Sequence, residues 1–395
     1  MNLENILSAN QEARKLSQID IHDFALRNRL KWPNDFLKEV LNQYQILQKM
    51  RVKLPSWFEN NEVIGASLLN MEQCTSEYIA NYKFKGVKGK IAVDLTGGFG
   101  VDTYHLAESF ESVIYCETNE SLLKIVKHNF DVLGIKNVSF LNIEAAEFLT
   151  TTDIIFDLIY LDPDRRNEAN EKLVLLENLS PNLLEINHVI LSKAKQTLVK
   201  LSPILDISKA ASQLLGLQSV EILAQKNEVK ELIFTLKIGK TDKSPRIQAT
   251  HLSHEKKDIF SFYPEEETVA IAQYSEPEKY FYEANAAIMK SGGFKLVSLK
   301  FGLGKLAQHS HYYTSDHLVT DFHGKVFQVN EVYSFSSKVM KSFKNKQFNI
   351  LSRNFPLNPV TIAKKYHLNI GGELFLIFTQ NHKNEKIILS CVRTY

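Results

Sequence analysis

The stretch IAVDLTGGFGVDTYHLAESFESVIYCETN, residues 91–119, constrains this chain more than any other. An apolar run ends in Asp94, a glycine cluster follows, then a helical pattern, then a second apolar run ending in Glu117. Parallel strands end at a crevice, and the turn after the first strand can set backbone N–H groups against a ligand. Gly97, Gly98 and Gly100 suit that turn, because a Cβ would block close approach. Glu117 lies 23 residues past Asp94, at the end of the second strand. An acid placed there can accept hydrogen bonds from two ribose hydroxyls.

The surrounding sequence alternates strand and helix from 76 to 240. KIAVDL, SVIYCE, VSFLNIE, IIFDLIYLDP and TLVKLS read as five strands, with a helix ESLLKIVKHNFDVLG that Gly134 closes. SVEILAQ and KELIFTLKI, separated by KNEV, read as a hairpin. This describes an α/β doubly wound, Rossmann-like sheet, mostly parallel with one antiparallel strand. Residues 1–75 read as helical packing elements, with Asn34 or Asp35 capping DFLKEVLNQYQILQKM. The polar segment GKTDKSPR marks a boundary, which gives three regions: 1–75, 76–240 and an α+β domain over 241–395. There PEKYFYEANAAIMKSGGF and NPVTIAKKYHL read as helices, and KVFQVNEVYSF, FNILSRNFP and ELFLIFTQ as strands.

A formal net charge of +2 over 395 residues gives no strong whole-molecule field, so any taste for a polyanion must be local. Cys74, Cys116 and Cys391 are far apart with no CxxC, which predicts neither a disulfide framework nor a zinc site and fits a reducing cytoplasm. No metal is expected. No signal peptide or apolar run near membrane-spanning length is evident.

The ligand is narrowed by what the glycine turn lacks. A GxGxxG dinucleotide fingerprint needs glycine at 103, where this chain has Thr103, and a Gly-Lys-Ser/Thr phosphate loop is absent. Asp-x-Thr-Gly-Gly-x-Gly followed by an acid ending the next strand resembles motif I of class I S-adenosylmethionine-dependent methyltransferases. The resemblance implies that Asp94, Thr96, Gly97, Gly98, Gly100 and Asp102 surround the methionine part of S-adenosylmethionine. It further implies that Glu117 and Thr118 hold the ribose and that Glu144 and Ala145 meet the adenine, with Asn142 or Glu147 as alternatives to Glu144.

The fourth strand runs into Asp162-Pro163-Asp164-Arg165-Arg166. In that family the loop after this strand faces the transferable methyl group, so Asp162, Pro163, Asp164 and Arg165 are the expected catalytic positions. Asp162 also borders the cofactor. Asp164 and Arg165 replace the second proline and the aromatic of the acid-Pro-Pro-aromatic loops that methylate exocyclic amines. Arg165 and Arg166 can bind a phosphate or stack on a base, or one can pair with Asp162 or Asp164. Pyrimidine C5 methylation needs a nucleophile, usually cysteine, to add to the ring first. No cysteine lies near this loop in sequence, although the fold could bring Cys74 or Cys391 close. Transfer to nitrogen or oxygen is favoured, with Asp162 orienting the acceptor or taking its proton. Lys200, Ser202 and Asp206 follow the fifth strand at the same rim, as substrate-side groups or as a helix cap and surface residues.

MEQCTSEYIANYKFKG reads as a helix entering the first strand, with Gln73, Ser76 and Glu77 as its notable polar positions. It is similar to the segment bordering the cofactor cleft in RNA-directed methyltransferases. Residues 331–370 carry seven basic residues against Glu331 alone: Lys338, Lys341, Lys344, Lys346, Arg353, Lys364 and Lys365. Phe343, Phe348, Phe355 and Tyr366 are interleaved, either as rings that stack on bases or as core beneath a solvated face. With EQCTSEYIANYK, VDLTGGFGVD, LDPDRR, KLSPILD, YEANAAIMKSG and NILSRNFPLNPVTIAKKYHLNIGGELFLIF, the chain resembles bacterial class I methyltransferases with a C-terminal THUMP-like, ferredoxin-like domain. The resemblance implies an RNA substrate, tRNA or rRNA, and the basic excess of the window offers Lys341, Lys344, Arg353, Lys364 and Lys365 as its contacts. A small-molecule or protein methyltransferase and a non-catalytic cofactor-binding protein remain alternatives. Oligomeric state is left open.

Overall fold

The computed structural model describes residues 3–16, 31–165, 175–239, 244–253 and 255–394. The chain forms two compact units, one of residues 1–218 and 233–241, the other of 219–232 and 242–395.

The first unit is built on strands β1 (Gly89–Asp94), β2 (Phe110–Cys116), β3 (Val138–Leu141), β4 (Phe156–Leu161) and β5 (Ala194–Leu201). All four neighbouring pairs are parallel, in the order β3-β2-β1-β4-β5. The strands are nearly continuous apolar runs, as expected for a sheet covered on both faces. Its helices include α1 (Leu3–Lys15), α2 (Asn34–Lys53), α3 (Pro55–Glu59), α4 (Leu68–Gln73), α5 (Glu77–Phe84), α6 (Val101–Ala107) and α7 (Glu120–Val132). After α7, Gly134 takes φ 77 and the Ile135 N–H returns to the Phe130 carbonyl, a Schellman closure.

Two expectations at this end are corrected. Neither Asn34 nor Asp35 caps α2: the cap position is Pro33, with no side-chain hydrogen bond. The segment before β1 is not one helix, because Cys74–Ser76 break it into α4 and α5. Ser76 supplies the break by accepting the Ile79 N–H, the N-cap bond that starts α5. The N-terminal helices share one core with the sheet domain. Trp57 is fully buried and its ring lies 5.5 Å from Phe99, inside the glycine turn. Two buried amides fix the chain between them. Gln43 exchanges hydrogen bonds with the Gly65 backbone, and Asn129 on α7 exchanges them with Ile64.

The hairpin of β6 (Leu217–Gln225) and β7 (Glu228–Leu236) has its turn in the second unit, at Lys226 (φ 53) and Asn227 (φ 58). Positive φ at both positions gives the mirror-image turn whose twist matches the strands. Strand β8 (Arg246–Leu252) runs parallel to β6, and β9 (Lys257–Phe262) antiparallel to β8. A second sheet comprises β10 (Tyr280–Ala284), β11 (Gly304–Lys305), β12 (Tyr312–Ser315), β13 (Gly324–Ser334), β14 (Gln347–Ser352), β15 (Asn369–Gln380) and β16 (Lys386–Arg393). Its order is β11-β12-β10-β13-β16-β15-β14.

PEKYFYEANAAIMKSGGF is therefore not one helix: its aromatic half is β10, and Asn285 then caps a short helix, Ala286–Ser291. Aromatic and β-branched residues favour a pleated surface, and the alanines that follow favour a helix. The basic window forms two further helices, Ser337–Phe343 and Pro359–Tyr366, over the β14–β15 end. Its rings do not form a stacking platform. Phe343 and Phe348 are buried, and Phe355 and Tyr366 pack against the same core. Lys338, Lys341, Lys344, Lys346, Lys364 and Lys365 are exposed, and so are the apolar Val360 and Ile370.

Candidate functional site

The glycine turn is held from three sides. Asp94, at the end of β1, is buried, and its carboxylate accepts the Thr96 N–H (3.0 Å) and the Thr103 hydroxyl (2.6 Å). Thr103 thus occupies the fingerprint glycine's place and binds the strand-end acid instead. Gly98 and Gly100 take φ 55 and 82, conformations open to glycine at little cost. A Cβ on Gly97 would lie 2.1 Å from the Tyr115 ring, whose hydroxyl donates to the Gly98 carbonyl at 2.7 Å. Tyr115, on β2, is a support that the sequence did not single out, although it stands two residues before Glu117.

Glu117 accepts the Gly98 N–H (3.0 Å) on one oxygen and the Asn119 N–H (2.7 Å) on the other. The oxygen that takes Gly98 keeps a second lone pair, and the other holds only the long Thr118 contact besides Asn119, so the carboxylate stays open to a ribose hydroxyl. Thr118 is exposed and bonds Glu117 at 3.4 Å, while Asn142 donates to the carbonyls of Glu117 and Thr118. Glu144 is exposed at the cap position of the helix Ala145–Thr151, and Ala145 is buried.

The fourth-strand loop meets the turn directly. The Asp162 N–H donates to the Thr96 hydroxyl at 2.6 Å. Pro163 is buried, and the backbone of Asp164–Arg165 pairs with Leu179–Ser180 in a two-residue ladder. Asp94, Asp102, Asp162 and Asp164 line one pocket together with Gln73 and Cys74. The Arg165 side chain and the whole of Arg166 lie outside the described residues.

Behind the pocket is a charge network that spans elements distant in sequence. Asp102, on α6, accepts from Tyr160 (2.7 Å) and Thr75 (3.0 Å) and pairs with Lys83 of α5 at 2.9 Å. Lys83 also donates to the Tyr160 hydroxyl at 2.9 Å. Lys200 pairs with Asp162 and reaches Thr75 at 3.4 Å. Thr75, Lys83 and Tyr160 were not legible in the sequence as site residues. The sequence-level trace was an unexplained Lys83 on the apolar side of a short helix.

The acids are driven apart by their surroundings. Burial pushes Asp94 up to about 7, against its hydrogen bonds from Thr103 and Thr96. Burial also opposes ionisation of Asp102, but Lys83, Lys200 and Tyr160 win and hold it at about 2. Desolvation raises Asp162, with Lys200 pulling the other way. Cys116 is buried in β2 and its thiol is pushed up to about 12. Cys74, half-buried at the pocket wall, donates to the Met71 carbonyl at 3.4 Å.

Other anticipated positions fall elsewhere. Ser76 caps α5, and Glu77 accepts the Ser56 N–H. Ser202 accepts the Ile204 N–H, and Asp206 caps the helix Ile207–Gln213. Arg353 turns inward, with a 2.8 Å bond to Glu283 and its guanidinium 4.5 Å over the Tyr312 ring. Lys341, Lys344, Lys364 and Lys365 are exposed.

Residues 280–322 match a ferredoxin-like domain family and 324–393 a THUMP domain-like family. A crystal structure from Porphyromonas gingivalis W83, described as that of a candidate methyltransferase, is 29% identical with a TM-score of 0.88 and covers 100% of both chains. Curated relatives match a shorter segment. The 23S rRNA (uracil(747)-C(5))-methyltransferase RlmC of Yersinia enterocolitica is 22% identical over 38% of this chain and 36% of its own. An uncharacterized RNA methyltransferase of Mycoplasma mobile is 26% identical over 33% of each. The match thus spans about a third of the length of these curated relatives. The parallel sheet with its glycine turn, the end-to-end likeness to the Porphyromonas structure and the two C-terminal matches make this chain similar to a methyltransferase-like protein whose C-terminal part carries ferredoxin-like and THUMP domain-like families.

Proposed function

We propose that this protein transfers a methyl group from S-adenosylmethionine to a base nitrogen or ribose oxygen of tRNA or rRNA. The observation that carries this is the junction of the glycine turn with the fourth-strand loop, where Thr96 binds the Asp162 backbone above a pocket lined by carboxylates. The pocket's donors fit the cofactor. Glu117 keeps a lone pair for the ribose, Gly97, Gly98 and Gly100 line the pocket with backbone, and the acids suit a cationic ligand. When bound, S-adenosylmethionine supplies an electrophilic methyl group on a sulfonium.

The remaining steps belong to the chain. Asp162 orients the acceptor and takes its proton, and Lys200 keeps that carboxylate in place. Lys341, Lys344, Lys364 and Lys365 meet RNA phosphates. The RNA methyltransferases among the relatives support RNA over a small molecule.

A second possibility is uracil C5 chemistry, favoured by the presence of Cys74 at the pocket wall and by the named reaction of RlmC. A nucleophilic cysteine must be a thiolate, whereas this sulfur donates to a carbonyl, so the first proposal stands ahead. Mass spectrometry of tRNA and rRNA nucleosides from a deletion strain tests both. Loss of one N- or O-methylated nucleoside, restored by wild type and by Cys74→Ala, is expected. Loss of a C5-methylated pyrimidine that Cys74→Ala cannot restore would install the second possibility. An unchanged nucleoside inventory would overturn both.

A further inference from the structure

The pocket wall holds the buried Asp102, the partly exposed Asp162 and two lysines, and their pairing is not interchangeable. Lys83 comes from α5 and its side chain is 1% exposed, so it cannot turn to solvent. Its partner Asp102 is 10% exposed. Lys200 comes from β5 and reaches both Asp162 and the Thr75 hydroxyl, which in turn donates to Asp102. Lys200 therefore lies one hydroxyl away from a second carboxylate. A buried carboxylate stripped of its counter-ion is strongly unfavourable and takes up any cation within reach. Asp102 would do so with Lys200 if Lys83 did not already satisfy it.

We propose that Lys83 is a positioning residue: by neutralising Asp102 it leaves Lys200 to Asp162, the acid whose loop faces the methyl acceptor. This rests on the function proposed above for the assignment of Asp162, but not for the geometry of the two pairs. The charged groups around Asp162 are Lys200 from β5, Lys83 from α5, Asp102 from α6 and Asp94 from β1, with Asp164 two residues along its own loop. Losing Lys83 removes one nearby cation and draws off the second. Both changes disfavour the Asp162 carboxylate, so its ionisation moves to higher pH.

The test is Lys83→Met, which keeps most of the side chain's length and removes its charge. Its crystal structure should have the Lys200 ammonium on Asp102 and off Asp162. With labelled S-adenosylmethionine and RNA from the deletion strain, the acid limb of the single-turnover rate should rise by about one pH unit. Cofactor affinity measured by calorimetry should change little. K83M/D102N removes both charges of the buried pair and should return the limb to its wild-type position. Lys200 remaining on Asp162 in K83M, or a limb still displaced in the double variant, would overturn the proposal. A K83M chain that does not fold would also overturn it, because Asp102 would then have found no second lysine. Should wild type methylate no RNA, the proposed function fails, while the position of Lys200 in the crystal still decides this inference.

Discussion

Asp94 joins the glycine turn to the sheet by two hydrogen bonds, and burial pushes its pKa up to about 7. Its pKa lies above that of an unfolded aspartate. The stability it contributes is therefore full at low pH and is lost as pH rises from about 4 to about 7. In that window the cofactor-free protein should lose up to about 1.4 kcal/mol per pH unit relative to Asp94→Asn, read as diverging melting temperatures. A parallel pair of curves would contradict the assignment. Gly97→Ala should weaken S-adenosylmethionine binding at least about tenfold, roughly 1.4 kcal/mol, because the new methyl meets Tyr115 and the turn must shift. Calorimetry reads this directly. At this scale the sequence announced residues whose partners are close by: the Gly97–Gly100 turn, Asp94 and Glu117. It was silent on Thr75, Lys83 and Tyr160, because Thr75 stands 27 residues and Tyr160 58 residues from the Asp102 they bind, and only the fold sets those separations to zero.

Among the elements, the N-terminal helices do more than cover apolar surface. Trp57 packs on Phe99, Tyr104 and Phe130, and so presses the glycine turn against α6 and α7. Trp57→Ala should cost about 3–5 kcal/mol of stability and weaken cofactor binding as well. Chemical denaturation and calorimetry together check this, and a stability loss with unaltered affinity would confine Trp57 to the core. Apolar spacing was enough to find α2, α7 and the strands of the parallel sheet. It misjudged α4–α5 and β10, where a run of suitable residues hides a break at Ser76 or a change of period at Asn285. The interleaved aromatics around the basic window were ambiguous for a related reason. A ring beside a lysine reads alike whether it points outward or inward, and the packing of Phe343 on Phe348 and of Phe355 on Phe378 decides for inward.

For the whole molecule, a net charge of +2 hides a second unit whose lysines crowd one short window. Reversing Lys341, Lys344, Lys364 and Lys365 to glutamate should lower RNA affinity at least about tenfold at physiological salt and flatten its salt dependence, with cofactor affinity unchanged. Filter binding over a salt series measures the first, and calorimetry the second. Unaltered RNA binding would remove that face from substrate handling. The central claim is methyl transfer to RNA. Its most direct test is one incubation of the purified protein with methyl-labelled S-adenosylmethionine and RNA, protein and small-molecule fractions from a strain lacking the gene. Label entering a tRNA or rRNA fraction, and lost with Asp162→Asn, is the predicted result. Label confined to the protein or small-molecule fraction, or absent from all three, would contradict it.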